Sequence, residues 1–448
     1  MGARAIKDFK NGKYIVNPVL MEQSISSSAR WPQGCLIAFR FFFAYFIFYM
    51  FPFPLNYLPK VSVVYQPLTE LSTALCTYIA KSLTGFDPGI HGINNGSGDT
   101  TLNYARLYLF TAYSLVITIV WSLADRRRRN YDKLWYWLTI LLRYYLAVTM
   151  ISYGMAKIFK TQFGFPSLDR LHQSFGDASP MGLLWTFMGY STAYNIFTGA
   201  GEFVGGLLLF FRRTRLIGAL IVIVVMSHVA MLNFAYDVPV KLFSLHLLSM
   251  AIFLIVPDAK NILNIFLFNK PTLPEIVKPI YYNGKTRWFY FIAKGLFVGF
   301  ILTTNTMNQI DTRKEIARHA GDANRFDPLM GEFVVESFEL NGELVPPGKM
   351  DTRRWGKVTI NKKNIDIQST DGGSIPWHFH GNSKKIVLLS KDLSTMGNFR
   401  FEGDSTRLIL QGVLNEDSLK IKLKRKSADS FVLVTRGFHW INEYPFYK

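Results

Sequence analysis

The stretch GAGEFVGGLLLFFRRTRLIGAL, residues 199–220, joins a glycine-rich apolar run to a basic turn and a second apolar run. Glu202 is an ionisable residue inside the first run. A charge at the bilayer centre costs about 2.5–3.5 kcal/mol on insertion scales, so such residues usually have partners and functions. Gly199, Glu202 and Gly206 share one helical face, and glycines let a neighbouring helix approach closely. The stretch therefore predicts a membrane helix that presents Glu202 to the interior of a bundle.

Similar apolar runs separated by basic turns fill residues 35–306. Each run is close to the roughly 20 residues that cross the hydrocarbon layer. They predict seven spans, at about residues 35–54, 102–123, 134–155, 190–211, 216–236, 240–256 and 288–306. Lysine and arginine concentrate in every second connection, which the positive-inside rule assigns to the cytoplasm. These basic segments are residues 1–34, 126–133, 212–215 and 260–287.

The composition excludes a disordered chain, because 49% of the 448 residues are hydrophobic and only 18% are charged. The net charge of +19 is high enough for a nucleic-acid-binding protein. The basic residues, however, lie in short clusters between apolar runs and form no continuous surface. We therefore predict a lipid bilayer as the partner, and no nucleic acid. The two cysteines, Cys35 and Cys76, imply no disulfide framework.

From about residue 330 onward the pattern changes to many short runs of period two, separated by turn residues such as NGE and NED. This pattern is typical of an antiparallel β-barrel or sandwich of about eight strands, with a loosely lipocalin-like rhythm. We expect a β domain at 330–448, preceded by a polar linker at 307–329. Seven spans with a cytoplasmic N-terminus place this domain outside the cytoplasm.

Two buried charges in the third and fourth spans are predicted to pair. Arg143 and Glu202 each lie about nine residues from the cytoplasmic end of their spans, and a buried charge needs a partner. Such a pair either fixes the helix register or belongs to a site. Asn195 shares the face of Glu202, and Lys157 shares a face with Arg143.

A second polar group lies around the connection between the fifth and sixth spans. Its members are His228, Asn233, Tyr236, Asp237, Lys241 and His246. Together they predict a general acid–base or anion-binding site in a partly dehydrated pocket, which Lys157 would close. The simpler interpretation of Asp237 and Lys241 is an ordinary ion pair at the membrane interface.

Three further polar features have simpler interpretations. Arg40 is close enough to the start of the first span to snorkel to the interface. Asp99 is placed to cap the second span. His378 and His380 share a strand face, but His439 is the only further ligand candidate, so we predict no metal site.

The segments RYYLAVTMISYGMAKIFKTQF, residues 143–163, and GAGEFVGGLLLFFRRTRLIGAL resemble the DoxX-like membrane proteins. The resemblance rests on two helices. The first contains Arg143 and has Gly154 and Lys157 near its end. The second contains the pattern G-x-x-E-x-x-x-G, with Gly199, Glu202 and Gly206, and an arginine follows it. It implies a four-helix membrane core at about 130–257. The added β domain and the closing RGFHWINEYPF resemble larger members from Bacteroidetes-type Gram-negative bacteria, which implies the bacterial inner membrane and a periplasmic β domain.

Some members of this family have a role in quinone-linked oxidation of sulfur compounds or in oxidative-stress complexes, and the resemblance implies that this protein could share such a role. One hypothesis is therefore a quinone-interacting oxidoreductase, or a subunit of one, with a separate redox partner. In it Glu202 and Arg143 shape the cavity, and His228, Asp237 and His246 handle protons at the quinone head group. The other hypothesis is a non-enzymatic envelope assembly or binding protein, whose β domain binds a protein or lipid partner. The sequence leaves open whether the protein is an enzyme.

Overall fold

The computed structural model describes residues 6–7, 14–15, 30–58, 60–85, 96–167, 170–171, 173, 175–272, 284–326, 331–347, 354–360, 364–370, 374–382, 385–389, 395–404, 406–426 and 432–435. The chain divides into two compact units. The first comprises residues 1–155 and 197–305, and the second comprises residues 156–196 and 306–448.

Long helices account for most of the described chain before residue 327. In chain order the helices are α1 Gln33–Met50, α2 Ser62–Thr84, α3 Thr101–Ala124, α4 Asp132–Ile158, α5 Pro180–Tyr190, α6 Thr192–Phe210, α7 Arg215–Ala235, α8 Lys241–Ile255, α9 Ala259–Phe266, α10 Gly284–Phe326 and the short α11 Val432–Thr435. Among the described residues, six helical segments are long and apolar enough to cross a membrane. They are Gln33–Tyr57, Thr101–Ala124, Asp132–Ile158, Arg215–Ala235, Lys241–Phe266 and Trp288–Arg318. The predicted membrane helical bundle is confirmed.

The predicted fourth span is the helix α6, which has 19 residues. It is long enough to cross but is not among the six apolar segments. Its composition explains the difference, because Asn195, Glu202 and four glycines dilute its leucines and phenylalanines. A helix of this kind is stable in a bilayer when its polar face packs on another helix.

The predicted linker at 307–329 is helical through Phe326, because α10 continues for 43 residues from Gly284. Its first half is apolar and its second half is charged. The helix α10 therefore continues beyond the predicted last membrane span as far as Phe326.

Arg40 does not snorkel to the interface, as its position in the sequence suggested, because its side chain is 4% exposed. Its Nε donates to the Tyr131 hydroxyl at 3.0 Å and its Nη1 to the Ser122 hydroxyl at 2.8 Å. Its Nη2 donates to the carbonyl oxygen of Asp125 at 3.0 Å. With these donors satisfied inside the protein, Arg40 joins α1 to the connection between α3 and α4.

The C-terminal region forms an antiparallel barrel. Its strands are β3 Gly331–Leu340, β4 Glu343–Leu344, β5 Trp355–Ile360, β6 Asn364–Ser369, β7 Ser374–Asn382, β8 Lys385–Leu389, β9 Thr395–Gly403, β10 Arg407–Leu414 and β11 Asp417–Arg425. Two short N-terminal strands, β1 Ile6–Lys7 and β2 Tyr14–Ile15, form a separate pair. Neighbouring strands pair in chain order, with the short β4 beside β3. The last strand, β11, also pairs with β3, so the sheet curls back on its first strand. The predicted antiparallel β domain is confirmed.

Side chains fill the described part of the barrel interior. Phe333, Val358 and Ile421 are fully buried, and Phe338 and Phe399 are nearly so. They belong to one hydrophobic cluster contributed by β3, β5, β6, β8, β9, β10 and β11. A barrel of eight strands is just wide enough for its side chains to occupy the interior.

Candidate functional site

The helices α4 and α6 touch through their backbones. A Cβ atom added at Gly154 would lie 2.7 Å from both the Gly199 oxygen and the Phe203 nitrogen. A Cβ added at Gly206 would lie 2.9 Å from the Ala147 oxygen. These glycines produce the close approach that the sequence predicted. Glu202 lies between the two contacts along α6 and is 2% exposed.

The predicted ion pair between Arg143 and Glu202 is wrong, because Arg143 has other partners. Its Nε and Nη2 donate to the carbonyl oxygens of Leu209 and Phe210, each at 3.0 Å. Those oxygens end α6, and a helix C-terminus attracts cations. Glu202 lies seven residues away, which is about 10 Å along a helix. Residue counts from the ends of approximate spans could not show that Arg143 and Glu202 lie at different depths.

His246 lies half-buried on α8 and faces α1. Its Nδ1 is 2.6 Å from the carbonyl oxygen of Leu242, so Nδ1 carries the hydrogen. Its Nε2 therefore accepts a hydrogen bond from the Tyr45 hydroxyl at 2.6 Å. The Tyr49 ring stacks on the imidazole, with centroids 4.0 Å apart and planes within 7°. Tyr45, Tyr49 and His246 form one hydrogen-bonded and stacked group, which we call the Tyr–His group.

A cavity of about 230 Å³ adjoins the Tyr–His group, because Tyr49 belongs to both. Half of its ten lining residues are aromatic, and three of these are tyrosines. Its lining includes Tyr49, Phe53, Asn56, Tyr57, Tyr145 and Thr149. Such a cavity suits a flat, mostly apolar ligand that carries hydrogen-bond acceptors.

One further phenol extends the Tyr–His group along the cavity wall. Tyr145, which lines the cavity, has its ring centroid 6.5 Å from that of Tyr49, and Tyr49 stacks on His246. Ionisable side chains therefore extend from the cavity wall to His246.

Comparison with known proteins identifies the central helices. The DoxX family model matches residues 138–235. The uncharacterized protein YwoB of Bacillus subtilis strain 168 is 32% identical over 126 residues, which are 28% of this chain and 79% of YwoB. The chain belongs to the DoxX family. No solved structure matches it. The DoxX segment runs from within α4 to the end of α7, and it contains Arg143 and Glu202.

Several predicted residues of the DoxX segment stabilise its connections. Asn195 is fully buried, and its Nδ2 donates to the carbonyl oxygens of Phe163 and Met188 at 3.3 and 2.8 Å. Lys157 is buried, with its Nζ 6.0 Å from the centroid of the Phe163 ring. The Nδ2 of Asn233 donates to the Val240 oxygen at 3.4 Å, which holds α7 to the following turn.

The structure does not gather the whole second polar group. His228 lies on an exposed face of α7 within the DoxX segment, whereas His246 lies beyond the segment and faces α1. Tyr236 ends α7, and the Asp237 side chain is 83% exposed. Asp237 pairs with Lys241 at 2.8 Å, as in the simpler interpretation.

Asp99 caps α8 and not the second span. Its carboxylate accepts hydrogen bonds from the backbone nitrogens of Lys241 and Leu242 at 2.8 and 2.9 Å. Thr100 caps α3 instead, by accepting from the Asn103 nitrogen at 3.3 Å. The prediction failed because a capping residue can serve a helix that is distant in sequence.

Replacing Asp99 by alanine is expected to lower the free energy of unfolding by about 1–2 kcal/mol, because two helix N–H groups lose their acceptor. The matched variant Asp237→Asn removes an exposed charge, keeps a residue that tolerates the left-handed backbone at this position (φ 51°), and should change stability by less than about 0.5 kcal/mol. Thermal unfolding of the two purified variants in one detergent measures the difference. Equal losses would show that the Asp99 cap does not stabilise α8.

Among the described residues, no group of three or more His, Cys, Asp or Glu side chains could hold a metal ion. His378 and His380 lie in β7, and His439 lies outside the described residues.

Sequence reasoning missed the residues that form the cavity. Tyr45 and Tyr49 are four residues apart in the first span, so they share a helical face. Two phenols on one face of a membrane helix were a usable signal. Asn56, Tyr57 and Tyr145 gave no such signal, because only the fold brings them together.

Proposed function

We propose that this DoxX-family membrane protein binds the head group of an isoprenoid quinone in the aromatic cavity and serves as the quinone-binding subunit of an oxidoreductase. The observation that supports this proposal most strongly is the position of Tyr49, which lines the cavity and also stacks on His246. A quinone head group is flat, apolar on both faces and has an acceptor oxygen at each end. The cavity offers aromatic walls and hydroxyl donors of matching chemistry.

Reduction of a quinone to a quinol takes two electrons and two protons. The phenols of Tyr49 and Tyr145 would donate hydrogen bonds to the carbonyl oxygens, which receive the protons. The Tyr–His group supplies titratable groups for proton exchange at the cavity wall. The two electrons come from a separate reductant, which we propose to be a protein partner.

The distribution of charge supports a location in a bacterial inner membrane with the N-terminus in the cytoplasm. The basic turns at 126–129 and 212–215 lie on the cytoplasmic side under the positive-inside rule. With α6 as a seventh span, the barrel lies in the periplasm. The tail of the quinone would remain in the lipid beside the bundle.

A cavity-filling variant tests the proposal without removing a titratable group. Thr149 lines the cavity, so Thr149→Trp is expected to weaken binding of a short-chain naphthoquinone about ten-fold or more through steric exclusion. The control is Val116→Trp, which changes a side chain that is 58% exposed on α3. Quenching of tryptophan fluorescence during quinone titration, calibrated for each variant, gives the affinity. Equal affinities in both variants would contradict this location.

A second candidate function is binding of an envelope partner by the outer surface of the barrel. Lys420, Lys422 and Lys424 alternate along β11 with buried apolar residues, so they share the outer face. Such a row favours an acidic protein or an anionic surface. Under this candidate, Lys422→Glu combined with Lys424→Glu abolishes function in cells, while Thr149→Trp leaves it unchanged.

A further inference from the structure

Four cationic side chains meet where α6 ends and α7 begins. Arg143 donates hydrogen bonds to the carbonyl oxygens of Leu209 and Phe210 at the end of α6, and the Nζ of Lys294 lies over the ring of Phe211. Arg212 and Arg215 follow directly in the chain. Asp258 pairs with Arg215 at 2.9 Å. A bound anion here would interact favourably with several cations in a medium of low dielectric constant.

Two members of this cation cluster retain capacity for a ligand. Among the described residues, Lys294 makes no ion pair, and its Nζ lies 4.7 Å from the centroid of the Phe211 ring. Arg143 uses its Nε and Nη2 on the α6 carbonyls, which leaves Nη1 without a hydrogen-bond partner among those residues. An ammonium and a guanidinium N–H are the donors that bind phosphate oxygens.

The surroundings of the cluster match the boundary between lipid tails and head groups. Phe211 is 47% exposed beside Lys294, and Trp288, Tyr290 and Leu296 on α10 are also exposed. Exposed tryptophan and tyrosine are enriched at this level of a membrane. An anion here would sit beside apolar side chains that accommodate acyl chains.

We infer that the cation cluster of Arg143, Arg212, Arg215 and Lys294 binds the phosphate head group of an anionic phospholipid. Basic pockets between membrane helices are a recognised setting for such lipids. The bound phosphate would contact cations on both helices and so join α10 to the end of α6. This inference does not depend on the proposed quinone site, which has a different lining.

Native mass spectrometry of the full chain released from nanodiscs tests the inference. The nanodiscs contain equal amounts of phosphatidylglycerol and phosphatidylcholine, and we expect retained lipid to be mainly phosphatidylglycerol. Lys294→Gln and Arg212→Gln should each reduce this preference about five-fold. Lys270→Gln is the matched control, because the Lys270 Nζ also lies over an aromatic ring, that of Phe268, at 5.5 Å.

The outcomes separate the possible sources of the anion. Loss of preference in Lys294→Gln and Arg212→Gln but not in Lys270→Gln supports a specific lipid site. Equal retention of both lipids by the native protein would overturn it, as would equal loss in all three variants. Displacement of the lipid by millimolar inorganic phosphate would identify a free anion as the ligand and overturn the lipid assignment.

Discussion

Replacing Gly154 by leucine is expected to separate α4 from α6 and to lower the free energy of unfolding by about 3 kcal/mol or more. Even a Cβ at this position would lie 2.7 Å from backbone atoms of Gly199 and Phe203. Backbone atoms cannot rotate away as a flexible side chain can, so one whole helix must move. The shift would also expose Glu202 to lipid, at a further cost.

The matched control for Gly154→Leu is Gly295→Leu. Gly295 also lies in a membrane helix, α10, but a Cβ there has no atom within 4 Å. Thermal unfolding in detergent, followed by tryptophan fluorescence, should show a large fall in midpoint for Gly154→Leu and almost none for Gly295→Leu. Similar midpoints would refute a close contact between α4 and α6.

Replacing His246 by leucine is expected to slow chemical reduction of bound quinone about 100-fold, because general acid–base groups contribute 10²–10⁴-fold. The variant removes the acceptor of the Tyr45 hydroxyl and the stacking partner of Tyr49. Stopped-flow absorbance after mixing with dithionite measures the rate. A quinone saturation curve for each variant separates this effect from weaker binding.

His228→Leu provides the histidine control for His246→Leu. His228 is exposed on α7 and lies outside the Tyr–His group. We expect its removal to leave the reduction rate unchanged. A slower rate in His228→Leu with a normal rate in His246→Leu would move the site away from the Tyr–His group.

The architecture could be predicted from the sequence because it follows from local patterns. An apolar run of about 20 residues can satisfy its backbone hydrogen bonds in a bilayer by forming a helix. Runs in which apolar and polar residues alternate form sheets. The extent of α10 could not be found this way. Its charged second half lacks apolar periodicity, although it continues the helix through Phe326.

The candidate site was only partly predictable, because it depends on helix register. Counting residues from span ends placed Arg143 opposite Glu202, whereas the glycine contacts of α4 and α6 place it opposite Leu209. The sequence also indicated His246 as a site residue but grouped it with the residues around the connection between the fifth and sixth spans. Its partners are on the first helix, about 200 positions earlier in the chain. Such pairings depend on tertiary packing and leave no local trace.

Organic extraction of the gently purified native protein, followed by mass spectrometry for isoprenoid quinones, tests the quinone site most directly. Thr149→Trp, purified in the same detergent and shown to have a native melting midpoint, serves as the comparison. We predict about one quinone per native chain, as expected for a single site, and little in the variant. No quinone in the native protein, or equal amounts in both, would contradict a quinone site in this cavity.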